Sequence, residues 1–385
     1  MEQAARRGGR RIIGGLLAAA ALLPAVPAQA QDGSYEFGRG LRLGDSGFTL
    51  GGYATLQYVN EQGNREQLKS GHASAFVWWE GLDRAKVFAE IDVVNAVARD
   101  RHDAAYDDTR RVSLERLYAD YAFGDAFTLR GGKFLTPIGR WNLIHAEPLV
   151  WTTSGPLITQ QVFPRNVTGA SASGQLHGVL MGASLGYVVF ASNGSEWRAD
   201  RWQDPFSRVR GLRLTTSLPG EVQLGLSVAN YELDSWRGDS RRLRGLDLFW
   251  QHNRWELSAE WLRTNPSQGG YRPVPTDSPA PGPQARTPAA RPVDGGGPLL
   301  PGSPGARRTQ GGFVQGVAPL AGAWFLVLRG EWLDSPQSAA TQRRTLAGLT
   351  WRPNAGVALK FEWVQDEGRL PGRTRSLASS LSVLF

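Results

Sequence analysis

The stretch Lys86–Val93, KVFAEIDV, puts Val87, Ala89, Ile91 and Val93 at every second position, with Lys86, Phe88, Glu90 and Asp92 between them. Successive side chains of a β-strand point to opposite faces, so one face of this segment is apolar and the other largely charged. The pattern recurs down the chain. Val179, Met181, Ala183, Leu185, Tyr187 and Val189 oppose Gly182, Ser184 and Gly186, and Trp255, Leu257, Ala259 and Trp261 oppose Glu256, Ser258 and Glu260. Trp324, Leu326, Leu328 and Trp332 oppose Arg329 and Glu331, and Val357, Leu359, Phe361 and Trp363 oppose Lys360 and Glu362. A soluble sandwich alternates too. Charges at alternate positions in mid-strand suit a barrel better, because its outer face meets lipid while its inner face is wet.

Sixteen such segments are legible, roughly 46–60, 71–80, 85–94, 112–124, 126–134, 166–176, 178–190, 207–218, 221–231, 241–252, 254–263, 310–319, 323–333, 341–352, 355–365 and 375–385. Their connections alternate between short (Gly81–Arg84, Gly124-Asp125, near Gly178, Pro219-Gly220, Asn253, Pro319–Gly322, Pro353-Asn354) and long (61–70, 95–111, 135–165, 191–206, 232–240, 264–309, 334–340, 366–374). That asymmetry belongs to outer-membrane barrels, and an even strand number leaves both termini on the side of the short turns. The expected fold is therefore all-β: a transmembrane antiparallel β-barrel of sixteen strands with short periplasmic turns and long outer loops. Tyr58, Trp79, Tyr121, Tyr187, Trp250, Trp255, Trp332 and Trp363, near strand ends, fit interfacial girdles.

Composition agrees with strands and turns. The chain holds 47 Gly, 23 Pro and 14 Trp, but Lys only at 69, 86, 133 and 360. Lys plus Arg number 43 against 35 Asp plus Glu, and part of the excess, Arg6, Arg7, Arg10 and Arg11, lies at the amino terminus. What remains is too mild and too mixed in sign for a nucleic-acid footprint. The absence of Cys removes disulfides, thiolate nucleophiles and Cys-bound zinc. A basic RRGGRR followed by the apolar IIGGLLAAAALL and by Ala28-Gln29-Ala30 predicts a secretory signal over 1–30, its apolar run too short to span a bilayer as a helix. Residues 31–45 are then a periplasmic segment and 46–385 the barrel, in the outer membrane of a Gram-negative cell. Within it, 264–309 carries PVPTDSPAPGPQARTPAARP and GGGPLLPGSPGARR, too rich in Pro and Gly for a helix or interior strand, and reads as an outer loop.

The last residues, SLASSLSVLF, place Leu377, Leu381, Val383 and Phe385 on one face and Ser376, Ser380 and Ser382 on the other. The segment resembles the carboxy-terminal strand of bacterial outer-membrane proteins, which makes Phe385 the expected signal to the barrel-assembly machinery. A second resemblance rests on RLYADYAFGDAFTLRGGKFLTPIGRWN (116–142) and LVWTTSGPLITQQVFPRNVTG (149–169). A strand ending LYADY, a tight Gly-Asp turn and L-R-x-GKF-x-TP-x-G resemble the phosphate-selective porin O and P family, closest over about 110–190 and weaker at 45–95 and 323–385. The resemblance implies a sixteen-stranded, homotrimeric general or anion-preferring porin in which the third outer loop, here 135–165, folds inward; diffusion through it needs no cofactor or metal. Trp141, Leu143, Ile144, Leu149, Val150 and Trp151 make that loop too apolar to sit in water, which argues independently for an inward position.

The functional expectation is passive diffusion of small hydrophilic solutes past an inward loop. Arg140, Glu147 and Arg165 belong to that loop, and Lys133 joins them at the constriction if Gly131-Gly132 forms a bulge; otherwise alternation from Leu129 aims Lys133 at lipid. The inward-facing charges are Lys86, Arg116, Arg130, Arg213, Arg329, Arg344 and Lys360 against Glu90, Asp92, Asp120, Asp247, Glu256, Glu260, Glu331 and Glu362. Their near balance supports at most a weak anion, phosphate-like preference, set by the loop. A different class of function is a barrel with a plugged lumen that acts as an enzyme or surface-binding anchor. Its chemistry has thin support: Gly132-Lys133 lacks the remainder of a P-loop, and His72, His102, His145, His177 and His252 form no metal-ligand pattern. Glu256 and Glu260 share a face but are more simply solvated in a wet lumen than a catalytic pair.

Overall fold

The computed structural model describes residues 33–61, 65–94, 98–100, 111–144, 146–180, 183–194, 196–197, 204–234, 240–266, 308–335, 340–368 and 373–385. Residues 1–32, which include the segment expected to be a signal peptide, and residues 267–307 of the Pro-rich stretch lie outside them. Strands run in chain order as β1 (Gly33–Glu36), β2 (Gly40–Leu43), β3 (Phe48–Glu61), β4 (Arg65–Leu82), β5 (Ala85–Val94), β6 (Ala98–Asp100), β7 (Arg111–Gly124), β8 (Phe127–Leu135), β9 (Asn166–Leu180) and β10 (Ala183–Ser192). They continue as β11 (Phe206–Leu218), β12 (Val222–Leu233), β13 (Arg241–His252), β14 (Trp255–Pro266), β15 (Thr309–Pro319), β16 (Trp324–Asp334), β17 (Gln342–Asn354), β18 (Val357–Glu367) and β19 (Arg373–Leu384).

All but β1, β2 and β6 form one closed antiparallel barrel of sixteen strands. Closure is made by β19 against β3, in register from Ser376↔Glu61 to Leu384↔Tyr53. Phe385 extends that seam, exchanging two backbone hydrogen bonds of 2.8 Å with Gly52. A closed sheet leaves no unpaired edge, so the ladder hydrogen bonds run between neighbouring strands all round the barrel. The segment before the first barrel strand is a hairpin, β1 on β2, joined to β3 through Leu41↔Leu50 and Arg42↔Thr49.

The alternation that reveals the strands also sorts their faces. Leu246, Val314, Leu328 and Leu377 point outward and are more than half exposed, whereas the inward-facing Asp247, Gln315, Arg329 and Ser380 of the same strands are buried. The turns at one end are tight (83–84, 125–126, 219–221, 253–254, 320–323, 355–356), and at the other end the longer connections gather.

Two connections differ from expectation. The ladder of β3 and β4 runs out to Glu61↔Arg65, so a loop expected over 61–70 shrinks to 62–64. A bulge absorbs the offset: pairing jumps from Ala54↔Ala73 to Leu56↔Ser70, and the short run KSGHA hides the alternation that would have marked the strand. Strand β9 likewise continues past Gly178, which sits within the strand at φ +72°, to Leu180.

Candidate functional site

Residues 136–165 link β8 to β9 and touch walls all round the barrel, from Glu115 on β7 to Ser380 on β19. A segment can meet inward-facing side chains on opposite sides of a closed sheet only by lying inside it. Its neck is tied first. Thr136 N–H donates to the Arg165 carbonyl at 2.8 Å, and the Asn142 amide donates to the carbonyls of Thr136 and Arg165 at 2.9 and 3.0 Å. A 3-10 turn at Trp141–Ile144 and helix α1 (Leu157–Gln161) give the segment its regular structure.

Its apolar side packs into the barrel. Ile138, Leu157, Ile158, Val162 and Phe163 are buried with Phe134 and with Phe190, Val209, Leu243, Leu262, Phe313 and Leu333 of the walls. At about 1.5–3 kcal/mol per fully buried side chain, those five contribute on the order of 10 kcal/mol toward seating the loop. On the opposite wall Tyr53, Phe76 and Phe88 form a second interior cluster with Ala146.

The polar side is held by wall charges. Glu260 accepts the backbone N–H groups of Arg140 and Trp141, Glu331 accepts that of Leu157 at 2.6 Å, and Glu362 accepts those of Thr153 and Ser154, each at 3.0 Å. Arg329 donates to the Thr152 hydroxyl and the Ser154 carbonyl, both at 2.8 Å, and Lys360 to the carbonyls of Glu147 and Thr152. Glu256 takes the Trp151 indole N–H at 2.9 Å, and Thr350 donates to the Trp151 carbonyl at 2.8 Å. Gly139 makes the approach to Glu260 possible: it lies at φ +64°, and a Cβ there would collide with the Glu260 carboxylate.

Arg329, Glu331, Lys360, Glu362 and Glu260 face inward but are covered by the loop, not by water. Sequence reading expects them as solvated lining; it cannot tell a charge facing water from one facing a loop backbone. Burial of such groups is tolerable only because each meets hydrogen-bonding partners. The remaining lining charges are mostly paired across strands. Arg213 with Asp247 (2.6 and 2.8 Å), Arg344 with Asp366 (2.6 and 3.0 Å) and Arg130 with Asp120 (2.7 and 2.8 Å) form two-pronged ion pairs. Arg116 pairs with Glu90, Ser74 bonds Asp92, and Lys86 pairs with an exposed Glu80 at 2.7 Å.

Of the four expected constriction residues, Arg165 and Glu147 are neighbours, whereas Arg140 and Lys133 lie apart from them. Arg165 lies 3.9 Å from Glu115, and although burial opposes its charge, Glu115, Tyr53, Asp92 and Glu147 around it hold its pKa above the usual value. Arg140 sits elsewhere on the loop, donating to Gln223 at 3.1 Å with its guanidinium 3.7 Å from the Phe249 ring centre. Burial lowers its pKa, with Glu256 and Asp247 opposing; an arginine stays cationic regardless. Lys133 departs furthest. Pairing of β8 with β7 and β9 runs unshifted from Leu129 to Lys133, so Gly131-Gly132 is not a bulge and Lys133 shares the outward face of Leu129. There it bonds the Trp197 carbonyl at 3.3 Å and pairs with Glu196 at 3.2 Å.

Sequence reading misses Arg352 and Arg254. Arg352 donates to the Val150 carbonyl at 3.0 Å and lies over Trp151; Arg254 lies over Phe325, whose ring centre is 4.8 Å from that of Trp151. Arg352 follows the parity of Arg344 on β17 and was legible from that; Arg254 sits in a turn, where parity is undefined.

The barrel is porin-like. Solved structures it resembles include an anion-selective porin from Comamonas acidovorans, at TM-score 0.57 and 13% identity, covering 88% of this chain and 99% of that one. A Salmonella typhi OmpF in complex with daunomycin gives 0.57 and 11%, covering 89% and 98%. A loop L8 deletion mutant of OmpT, an outer membrane protein of Vibrio cholerae, gives 0.56 and 7%, covering 88% and 99%. At these identities the likeness is one of fold. No family model matches the chain. An uncharacterized protein of Aquifex aeolicus (strain VF5) is 26% identical over 120 residues, which is 31% of this chain and about a quarter (26%) of that protein.

Proposed function

We propose that this chain is an outer-membrane porin, a passive diffusion channel for small hydrophilic solutes with a weak anion preference. The observation that carries this reading is a closed barrel with an apolar outer face and a charged inner face, narrowed by a loop that wall side chains anchor at many points. The anion preference follows from how the charges are engaged. Glu260, Glu331 and Glu362 lie buried beneath the loop, as does Lys360, and Glu256 is turned to the Trp151 indole N–H. Arg140 and Arg352 are only partly covered and meet the neutral oxygens of Gln223 and Val150, so theirs is the cationic field nearest a passing ion. A phosphate-like preference is the narrower form of the same proposal. Short turns facing the periplasm, assembly as a homotrimer and delivery by the barrel-assembly machinery complete it; the Vibrio OmpT barrel, similar in fold, has a solved trimer form.

Swelling of proteoliposomes in solutions of neutral sugars of graded size tests the channel. Wild-type protein should admit small sugars at rates that fall steeply with size. Vesicles that swell no faster than protein-free ones would refute it.

A further inference from the structure

Three registered rows cross the outward face of β11–β14. The row furthest from the tight turns reads Arg210, Asn230, Arg242, Asn265; the next reads Leu212, Val228, Arg244, Arg263; the third reads Leu214, Leu226, Leu246, Trp261. Rows two residues apart lie about 7 Å apart along the strands, and adjacent strands about 4.8 Å apart. Four guanidinium groups therefore crowd a patch directly against an apolar surface. Arg210, Arg242 and Arg244 are exposed. Arg244 and Arg263 are direct cross-strand partners, an arrangement that costs stability unless an anion lies between them. Glu232, one row further from the tight turns, is paired with Arg208 at 2.6 Å.

We propose that this patch binds the phosphorylated headgroups of membrane lipid at the long-loop end of the barrel, with acyl chains along Leu214, Leu226, Leu246 and Trp261. The occupant is argued from complementarity: the basic rows meet the apolar row without a gap, as the headgroup and chains of one anionic amphiphile do. A soluble anion would leave the apolar row unused. The proposal rests on the reading that the outer face meets a bilayer, but it is independent of ion flow, since none of these side chains faces the interior.

Full-length protein in a nonionic detergent, mixed with phosphatidylglycerol and phosphatidylcholine, would be examined for retained lipid by native mass spectrometry. Wild-type protein should retain phosphatidylglycerol in preference, and R242Q/R244Q/R263Q should lose that preference by roughly fivefold per arginine. R39Q, at the opposite end, should retain it. Free glycerol phosphate should compete poorly; competition as strong as that of the whole lipid would reduce the patch to a soluble-anion site and overturn the proposal. Were the triple variant to misassemble, the wild type alone decides, because its preference must fall as salt is raised. Equal retention of the two lipids, a preference indifferent to salt, or a change in oligomeric mass with lipid retention intact would each overturn the proposal. Conductance of the triple variant should equal that of wild type, so loss of the channel reading and loss of this one are separately visible.

Discussion

Glu362→Ala is the sharpest perturbation of the interior loop. Its two carboxylate oxygens take the N–H groups of Thr153 and Ser154 at 3.0 Å each, at the part of the loop nearest β18. Hydrogen bonds to a charged acceptor contribute about 1.5–3 kcal/mol apiece, and water entering the space left by the side chain recovers part of that. A net loss of about 2–4 kcal/mol remains, and at about 1.4 kcal/mol per factor of ten the detached state of this segment gains roughly a hundredfold in population. Glu260 and Glu331 still hold Arg140, Trp141 and Leu157, so the segment around Thr153 loosens while the neck stays closed. Single-channel recording in planar bilayers should give a larger mean conductance with added noise. Glu362→Gln, which keeps one acceptor, should fall between. Heat-modifiable mobility should remain that of a folded barrel, because the strand ladder is untouched. If traces of a folded Glu362→Ala protein superimpose on wild type, these bonds do not set the position of the loop.

Arg140→Glu should move the reversal potential in a salt gradient toward cations, while Arg344→Gln, whose side chain is already paired with Asp366, should move it less; equal shifts would remove the special role of the loop arginine. Phe385→Ala should lower the yield of heat-modifiable protein in the outer membrane, since the residue completes the β19–β3 seam, whereas Arg39→Gln should assemble normally; equal yields would count against a terminal assembly signal. A protease added to intact cells should cut within 264–309 and spare Pro353-Asn354 in the turn after β17, and cleavage at the latter would invert the topology.

The strands were legible because alternation is a property of each segment alone: Lys86–Val93 declares its two faces without reference to anything else. What alternation cannot supply is what lies opposite a face. Glu362 and Lys360 were placed inward by parity, yet their partners are backbone groups of residues about two hundred positions away in sequence. Lys133 turned on one local question, whether two glycines add a residue to the ladder. Glycine permits a bulge without requiring one, so the sequence left both outcomes open, and the ladder runs straight. The lost loop at 61–70 is the converse case, where a bulge at 71–72 interrupts the pattern that would have extended β4.

The central claim, an open channel whose interior favours anions slightly, is met most directly by wild-type protein in a planar bilayer with unequal salt on the two sides. The account predicts stepwise, ohmic conductance and a reversal potential displaced modestly toward that of the anion. A folded protein that inserts without conducting would mean that the loop and its interior core close the barrel, and a reversal potential at the cation limit would mean that the buried carboxylates, not Arg140 and Arg352, govern the path.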